Sequence, residues 1–318
     1  MDDGSTDFGP DRVRSSLADS RVALVTKPHL GIARTRNVGL AHISEAAEYV
    51  LLLDQDDVIE HDLLAGLVRI LERRPDAVGA YALADLIDAD GGPLGDGHFK
   101  RRMMERTSLD GNRLGTVAPW QDVSLAELFT SNHLYPPSAV LLRRRAVTAV
   151  GGCDSAYRVA DDWDLMLRLL RRGPIVPWNV VKVGYRRHGD NASGNDALNI
   201  KETRAVWSRT FYSPDNSPSD QALLRRTWRA YQHEKAVHKW QEALQDLRSR
   251  RIQRGILRAL DSMAHRVLRR PLRQWQPAAA PSSTWEDSAT IGVTERGARP
   301  DNSRDQQGQY QGPAISTH

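Results

Sequence analysis

The sequence "VLLLDQDDVIE", Val50 to Glu60, joins a short apolar run to three aspartates within four positions. An apolar run of this length, followed by polar residues, is typical of a buried β-strand. Ligands of open α/β sheets bind beyond the carboxyl ends of such strands, which is where these aspartates fall. In extended backbone, residues two apart point the same way, so Asp54 and Asp56 would face one ligand. Since neighbouring carboxylates repel each other, the loop predicts a cation or hydrogen-bond donors beside it.

Two interpretations of this acidic loop stay open on the residues alone. Carboxylate oxygens suit Mg²⁺ or Mn²⁺, which commonly keep waters and also bind phosphate oxygens. The alternative is a solvated loop in which Asp57 or Asp62 caps the helix that follows.

Short apolar runs alternate with helical patterns from residue 1 to about 195, which predicts an α/β sheet domain. Helices are predicted over 61–75 and 161–173, the second with acids in its first turn and Gly173 as a left-handed cap. Residues 91–124 are polar and weakly periodic, so we expect loops there. Two strands are predicted to be buried on both faces: "RVALVTK" (21–27) and "YVLLLD" (49–54). The other predicted strands are "AVGAYALADLID" (77–88), "SAVLLRRRAV" (138–147) and "IVPWNVVKVGYRRH" (175–188).

The rest of the chain has a different composition. Residues 196–275 are predicted to form a basic helical extension, and residues 276–318, rich in Pro, Ser, Gln and Gly, a disordered tail. Between residues 248 and 273 there are nine arginines against one acid. An apolar stripe at helical spacing runs through this segment: Ile252, Ile256, Leu260, Met263 and Val267.

Arginines around an apolar stripe favour contact with an anionic membrane surface over nucleic acid. The alternative for this segment is a helix packed on the preceding domain, with a solvated basic face.

Composition excludes some classes of protein. The 318 residues contain no apolar run near the ~18 residues of a membrane-spanning helix. The first residues lack the basic-then-apolar form of a secretory signal. A single cysteine, Cys153, excludes an internal disulfide and fits a reducing compartment. We therefore expect a cytoplasmic protein, at most peripheral at the inner face of the membrane.

Six motifs occur in order along residues 1–195: "MDDGSTD", "GIARTRNVG", "LLLDQDD", "VGGCD", "ADDWDLMLRL" and "YRRHGDNAS". Together they resemble the family 2 glycosyltransferases. The resemblance implies the GT-A fold, an α/β arrangement of a mixed sheet flanked by helices, here with a C-terminal helical extension. It also implies an inverting, metal-dependent enzyme that moves a sugar from a nucleotide-sugar, usually a UDP-sugar. The acceptor would be a saccharide or a lipid-linked glycan in the synthesis of bacterial cell-surface polysaccharide.

The resemblance assigns donor-binding roles to five residues. Asp2 and Asp3 of "DDGS" match the position that contacts the base and the ribose. Arg36 and Asn37 match the pair that supports the donor site, although Arg36 would equally hold the loop aspartates in place. Asp54 of "DQDD" would contact the ribose or the water shell of the metal.

Metal and catalytic roles follow from the same resemblance. Asp56 would coordinate a Mn²⁺ or Mg²⁺ ion that bridges the donor's diphosphate, with Asp57 as a secondary candidate. His188 lies where relatives often place a His or Arg near the diphosphate; metal ligation, phosphate contact and a plain surface position all stay open. Asp162 matches the catalytic base, and Asp161 stands where the family usually has glutamate. Capping of the helix is the alternative for both acids.

Four further residues are expected to serve packing. Trp163 and Cys153 are assigned to the core, and Cys153 is not expected to be a nucleophile. Trp120 and His133 lie in the region where acceptor loops vary, and a structural role is favoured for both over acceptor contact.

The chain departs from the family pattern at its start. Family members normally have a strand, a helix and a second strand before "DDGS", and here that motif begins at Asp2. Relative to the family the chain is therefore expected to be N-terminally truncated. Two explanations stay open: an inactive homologue that acts as a binding or scaffold remnant, or a start assigned too far downstream.

Overall fold

The computed structural model describes residues 1–6, 13, 19, 21–95, 97–189, 191, 194–268 and 270–273. Its strands are β1 (Tyr49–Leu51), β2 (Val58–Ile59), β3 (Gly79–Ile87), β4 (Arg106–Asp110), β5 (Arg113–Val117), β6 (Val140–Arg143) and β7 (Ile175–Arg186). Its helices are α1 (Ile32–His42), α2 (Leu63–Arg73), α3 (His98–Met104), α4 (Leu125–Thr130), α5 (Arg144–Ala149), α6 (Asp161–Leu169), α7 (Asp196–Tyr212), α8 (Pro218–Arg248) and α9 (Ile252–Val267).

A mixed five-stranded sheet in the order β1-β6-β3-β7-β2 forms the centre. Strands β3 and β7 are parallel, and their register runs from Gly79 opposite Ile175 to Ile87 opposite Arg186. The other pairs are antiparallel. The carboxyl ends of β3 and β7 therefore emerge at one edge, and β2 pairs with β7 beside that edge. The acidic loop between β1 and β2 is thereby fixed next to the ends of the two longest strands.

The helix predicted over 61–75 forms as α2, and its apolar spacing explains its packing. Leu63, Leu67 and Leu71 recur every four residues, share one face and are fully buried in the core. Burial of each such side chain contributes about 2 kcal/mol. The same core cluster includes Val206 of α7 and Trp228 of α8. The core therefore continues past residue 195, and the domain boundary placed there stays a prediction.

Two strand predictions near the start need correction. Residues 21–27 were expected to form a strand, but the segment contributes a single bridge, Thr26 with Asp2. Among the described residues, residues 1–6 pair with this segment at that one bridge, so no β-ladder forms along residues 21–27. The strand at 49–54 shortens to β1, and Leu53 is half exposed, so the segment is not buried on both faces.

The loops expected at 91–124 are also wrong, because this region contains α3 and the β4–β5 hairpin. Buried contacts that the local pattern does not reveal hold it in place. Arg106 at the start of β4 is fully buried and forms an ion pair with Glu127 of α4. Met103 of α3 is buried in the core cluster.

The C-terminal region is helical, as predicted, in α7, α8 and α9. Ser217 and Asp220 form a capping box at the start of α8, with Pro218 in its first turn. The predicted disordered tail, residues 276–318, lies outside the described residues.

Gly173 follows α6, but it is not the left-handed cap that its position predicts. Its φ lies outside the positive range found at eight other glycines of the described residues. Space is the reason for glycine: a Cβ there would lie 2.5 Å from the carbonyl oxygen of Asp76 and 3.0 Å from Val78. The close approach of two backbone segments explains why no side chain fits.

Gly173→Ala is expected to lower the free energy of unfolding by about 1–3 kcal/mol, because the added methyl group overlaps backbone. Gly194→Ala is the matched control, since a Cβ at Gly194 meets no atom of the described residues within 4 Å, and should change stability by less than about 0.5 kcal/mol. Urea denaturation of the two variants measures the difference. Equal midpoints would contradict the steric explanation.

Candidate active site

The acidic loop after β1 forms a tight turn. The Asp57 amide donates to the Asp54 carbonyl at 3.2 Å. The prediction of extended backbone is therefore wrong here. The rule that side chains two residues apart point the same way in a strand does not apply to Asp54 and Asp56. The two carboxylates are still close enough that the charge of Asp56 contributes to raising the pKa of Asp54, after the larger effect of burial.

Ser138, which is fully buried before β6, holds this turn from the inside. Its hydroxyl accepts a hydrogen bond from the Asp54 amide at 3.0 Å and donates to the Asp57 carboxylate at 2.6 Å. The other Asp57 oxygen accepts from the Arg186 amide at 3.2 Å. Burial raises the pKa of Asp57 to about 6. Asp57 is thus a structural part of the turn.

Arg36, on α1, joins two acidic segments that are far apart in the sequence. Its Nη2 donates to Asp54 at 2.7 Å and its Nη1 donates to Asp161 at 2.9 Å. Burial disfavours the guanidinium charge, but the carboxylates of Asp161 and Asp54 outweigh it, and the pKa of Arg36 is raised. Of the two roles open to Arg36 from the sequence, the structure provides the one that holds the loop aspartates.

Asp162 follows at the second position of α6 and is buried. Burial, and after it the charge of Asp161, raise the pKa of Asp162 to about 7, while Arg36 acts in the opposite direction. One carboxylate oxygen accepts from the Trp163 amide at 2.6 Å. A carboxyl group that titrates near neutrality is a suitable general base.

The loop that leads into α6 is held by Glu202 of α7. The buried carboxylate accepts three backbone amides at 2.9, 2.9 and 3.0 Å, from Arg158, Val159 and Ala160. Ala160 is the N-cap of α6. Glu202 therefore sets the position at which Asp161 and Asp162 begin the helix.

Asn37 supports the site from behind. Its side-chain amide donates to the Cys153 carbonyl and its oxygen accepts from the Cys153 amide, both at 2.8 Å. This pair joins α1 to the segment before α6. Both polar ends of the Asn37 side chain are therefore engaged with the Cys153 backbone, and its part in supporting the donor site stays a prediction.

Asp56 and His188 form the candidate metal pair. The His188 Nε2 lies 2.9 Å from Asp56 Oδ2. Metal–ligand bonds of about 2.1 Å at right angles place their ligand atoms about 3 Å apart, so this pair fits two adjacent positions around one divalent ion. Among the described residues no group of three His, Cys, Asp or Glu side chains converges on one point. The remaining positions would be filled by water and phosphate oxygens, which Mg²⁺ commonly retains.

Two neighbours orient this pair. Asn191 accepts from the His188 amide at 2.7 Å and places its own Nδ2 3.4 Å from Asp56 Oδ2. Arg186 donates from Nε to the Asp56 carbonyl at 2.8 Å and from Nη1 to the carbonyls of Asp88 and Ala89. The end of β7 thereby fixes the turn from the side opposite Ser138.

The first residues differ in what their carboxylates contact. Asp2 is 8% exposed, and its Oδ2 is buried with no hydrogen-bond partner among the described residues. Asp3 accepts from the amides of Leu30 and Gly31 at 2.8 and 2.9 Å and forms an ion pair with Lys27. Burial would raise the pKa of Asp3, but these contacts outweigh it and the pKa is lowered. Asp3 therefore holds the loop before α1, whereas the Oδ2 of Asp2 has no hydrogen-bond partner among the described residues.

A family model described as "Glycosyltransferase like family 2" matches residues 1–252. The chain belongs to this family. The match extends past residue 195, where the resemblance in the sequence motifs ends. An uncharacterized protein of Sinorhizobium fredii (strain NBRC 101917 / NGR234), y4gI, is 30% identical over 173 residues, which are 54% of this chain and 16% of that protein. The chain thus spans about a sixth of that relative's length.

Solved structures are similar in fold. A mannosyltransferase, PcManGT, from Pyrobaculum calidifontis in complex with GDP-Man and Mn²⁺ has a TM-score of 0.52 at 15% identity, over 91% of this chain and 72% of that one. S. aureus TarS 1–349 in complex with UDP-GlcNAc has a TM-score of 0.47 at 14% identity, over 83% of this chain and 81% of that one. The similarity to the mannosyltransferase, together with the family match, confirms the GT-A fold expected from the sequence.

Four residues assigned to packing can be placed in this glycosyltransferase fold. Trp163 is buried and donates from Nε1 to the Leu128 carbonyl at 2.8 Å, and burial raises the pKa of the Cys153 thiol. His133 is buried 2.9 Å from Glu127. Trp120, in contrast, is 76% exposed, so the packing role favoured for it is wrong.

Sequence reasoning missed four residues that build this family 2 site. Arg186 and Asn191 lie inside the motif "YRRHGDN". The motif therefore pointed to this segment, but His188 was its one residue given a candidate role. Ser138 and Glu202 have no local signal. Each acts on a loop more than forty residues away, which only the folded chain brings close.

Ser138→Ala should loosen the turn that carries the candidate metal ligand Asp56, because it leaves the Asp54 amide and the Asp57 carboxylate without their shared partner. We expect a loss of about 1–3 kcal/mol in stability and at least a tenfold loss in Mn²⁺ affinity, measured by thermal unfolding and by titration calorimetry. Ser262→Ala is the control, since that buried hydroxyl donates to the Ala236 carbonyl in α8. Loss of Mn²⁺ affinity in the control as well would mean that general destabilisation explains the effect.

Proposed function

We propose that this chain is an inverting, metal-dependent glycosyltransferase that moves a sugar from a nucleotide-sugar, a UDP-sugar, to a saccharide or lipid-linked acceptor in cell-surface glycan synthesis. One observation carries the proposal: Arg36 binds Asp54 and Asp161 at once. Asp54, proposed for the donor, is thereby held by the same guanidinium as Asp161, the residue next to the proposed base Asp162. A single displacement needs this arrangement, because donor and acceptor must meet at one carbon atom.

The donor would be held by the aspartates at the two ends of this site. The buried Oδ2 of Asp2, for which the described residues provide no hydrogen-bond partner, supports a contact with the base, because a carboxylate accepts the imide N–H of uracil or a ribose hydroxyl. Asp54 keeps one oxygen for the ribose, since Arg36 engages the other. Asp3 would contact the donor only in addition to the amides that it already binds.

Asp56 and His188 would hold Mn²⁺ or Mg²⁺ through the pair of atoms that lie 2.9 Å apart. When bound, the ion would stabilise the negative charge that develops on the departing nucleoside diphosphate. The similar mannosyltransferase is bound to GDP-Man and Mn²⁺, the same classes of ligand that we propose here.

Asp162 would act as the base. Its carboxylate would take the proton from the acceptor hydroxyl as that oxygen attacks the anomeric carbon from the face opposite the diphosphate, which inverts the configuration. The raised pKa makes Asp162 a stronger base than a solvated aspartate. The charge of Arg36, which pairs with Asp161, favours the ionised form of Asp162 that the reaction needs.

Asp162→Asn is expected to reduce turnover by about 10²- to 10⁴-fold with donor affinity retained, because the hydroxyl loses its proton acceptor. In the wild type, kcat/KM should fall about tenfold per pH unit below pH 7, where Asp162 becomes protonated. Release of UDP from a UDP-sugar, measured with Mn²⁺ and acceptor, follows both effects. Asp164→Asn is the control, since Asp164 is in the same helical turn and pairs with Arg168. Undiminished turnover in Asp162→Asn would remove the proposed base.

The same substitution should change stability in the opposite sense. Because the pKa of Asp162 is higher in the folded chain than in the unfolded one, folding is weakened as pH rises from about 4 to 7. Asp162→Asn removes that penalty, so its melting temperature should exceed that of the wild type by several degrees at pH 8. At pH 4 the two should melt together, which differential scanning calorimetry measures.

Asp56→Asn and His188→Gln should each lower Mn²⁺ affinity by at least tenfold, because each removes one of two protein ligands. Binding is measured by electron paramagnetic resonance of free Mn²⁺, with and without UDP. Asp62→Asn is the control, since Asp62 pairs with Lys182 just beyond the acidic loop. If wild type binds neither Mn²⁺ nor UDP-sugar, the alternative of an inactive remnant replaces the proposal.

A further inference from the structure

Helices α8 and α9 form an antiparallel hairpin. Along the hairpin, residue numbers increase in α9 as they decrease in α8. The contacts are Arg258 with Asp246 at 2.8 Å, Ser262 with the Ala236 carbonyl at 2.8 Å, and His265 with Gln232 at 2.5 Å. Gly255 allows close approach, because a Cβ there would lie 2.7 Å from Leu247. The polar side of α9 and its small residues therefore face α8.

The apolar stripe of α9 is left facing outward. Its side chains are between 51% and 76% exposed: Ile252, Ile256, Leu260, Met263 and Val267. The sequence analysis offered packing of this helix on the preceding domain as the alternative to membrane contact. That alternative is wrong for the apolar stripe, because its side chains are exposed. The residues of α9 that are buried are Gly255 and Ser262, about a third of a turn away around the helix.

Helix α8 carries a second stripe that the sequence analysis did not identify. Its members follow at spacings of three, four and three and are 37–42% exposed: Val237, Trp240, Leu244 and Leu247. At about 100° per residue, both stripes are displaced in the same rotational sense from the residues that pack between the helices. In an antiparallel pair, that displacement brings the two stripes to the same side. We call these nine residues the hairpin face.

The hairpin is also strongly basic. Residues 229–273 contain twelve arginines and lysines against four acids, whereas the whole chain has a net charge of +4. The rest of the chain is therefore net negative. Exposed arginines lie at both ends of the hairpin face: Arg248, Arg250 and Arg251 at the turn, and Arg266, Arg270 and Arg273 at the other end.

Charge decides between the occupants that would cover this face. A second copy would bring two bodies with eight excess positive charges together, which like-charge repulsion opposes. An anionic lipid surface is complementary to those charges and solvates the apolar side chains in its outer acyl region. Trp240 and the flanking arginines are residue types enriched at the headgroup level.

We propose that the α8–α9 hairpin docks on the surface of a bilayer that contains anionic lipids, with the hairpin face in the interface and the arginines on the headgroups. No helix among the described residues is long and apolar enough to cross a membrane, so the docking is peripheral. This inference rests on the hairpin alone and does not require the proposed catalytic chemistry.

Vesicle flotation of the full chain tests the proposal. We expect binding to vesicles of phosphatidylcholine with 30 mol% phosphatidylglycerol at low salt, at least tenfold weaker binding at 0.5 M NaCl, and little binding to pure phosphatidylcholine. Ile256→Gln/Leu260→Gln should reduce binding at least tenfold. Arg250→Gln/Arg270→Gln should reduce it about fivefold for each charge removed.

Matched controls separate the hairpin from the general surface. Ile200→Gln and Arg204→Gln replace exposed residues of α7 and should leave vesicle binding unchanged. Circular dichroism confirms that each variant is folded. Failure of the wild type to float with anionic vesicles overturns the proposal, as do hairpin variants that bind as well as wild type. A dimer by light scattering that Ile256→Gln/Leu260→Gln dissociates would assign the face to a second copy instead.

Discussion

The site depends on one buried guanidinium. Arg36 holds Asp54 with one arm of its fork and Asp161 with the other, and no other contact among the described residues joins the two acidic segments through one side chain. Without its charge, the carboxylates of Asp54, Asp161 and Asp162 would repel one another where burial limits their solvation. The geometry of Arg36 is in turn set by Asn37, the next residue of α1, through two hydrogen bonds to Cys153.

Burial raises the pKa of two aspartates of the site, and their contacts then give them different roles. Asp57 and Asp162 have pKa values raised to about 6 and about 7 because they lose water. Asp57 uses its oxygens on Ser138 and the Arg186 amide and stabilises the turn. One oxygen of the Asp162 carboxylate accepts from the Trp163 amide, which leaves acceptor capacity for a proton. Both residues lie within the family match. Their contacts give Asp57 a structural role and leave Asp162 for the proposed catalytic role.

The hairpin has the opposite physical character to the site. In the site, acidic groups surround the buried guanidinium of Arg36, whereas in the hairpin arginines flank an exposed apolar face. Because the net charge of the chain is small, this separation is not visible in its overall composition. A glycosyltransferase that acts on lipid-linked acceptors would benefit from such a separation, since a basic, apolar hairpin would hold the cleft near the membrane surface.

The sequence by itself determined the elements whose apolar spacing is regular and the family to which the chain belongs. Helix α2 and strand β7 form where their patterns predict them, and the ordered motifs led to the GT-A fold. Tertiary structure decided the rest, because the deciding contacts link distant residues. The hairpin at 106–117 depends on the Arg106–Glu127 pair, and the run at 21–27 finds only one bridge. Ser138 and Glu202 act through hydrogen bonds over more than forty residues, a distance at which local sequence carries no signal.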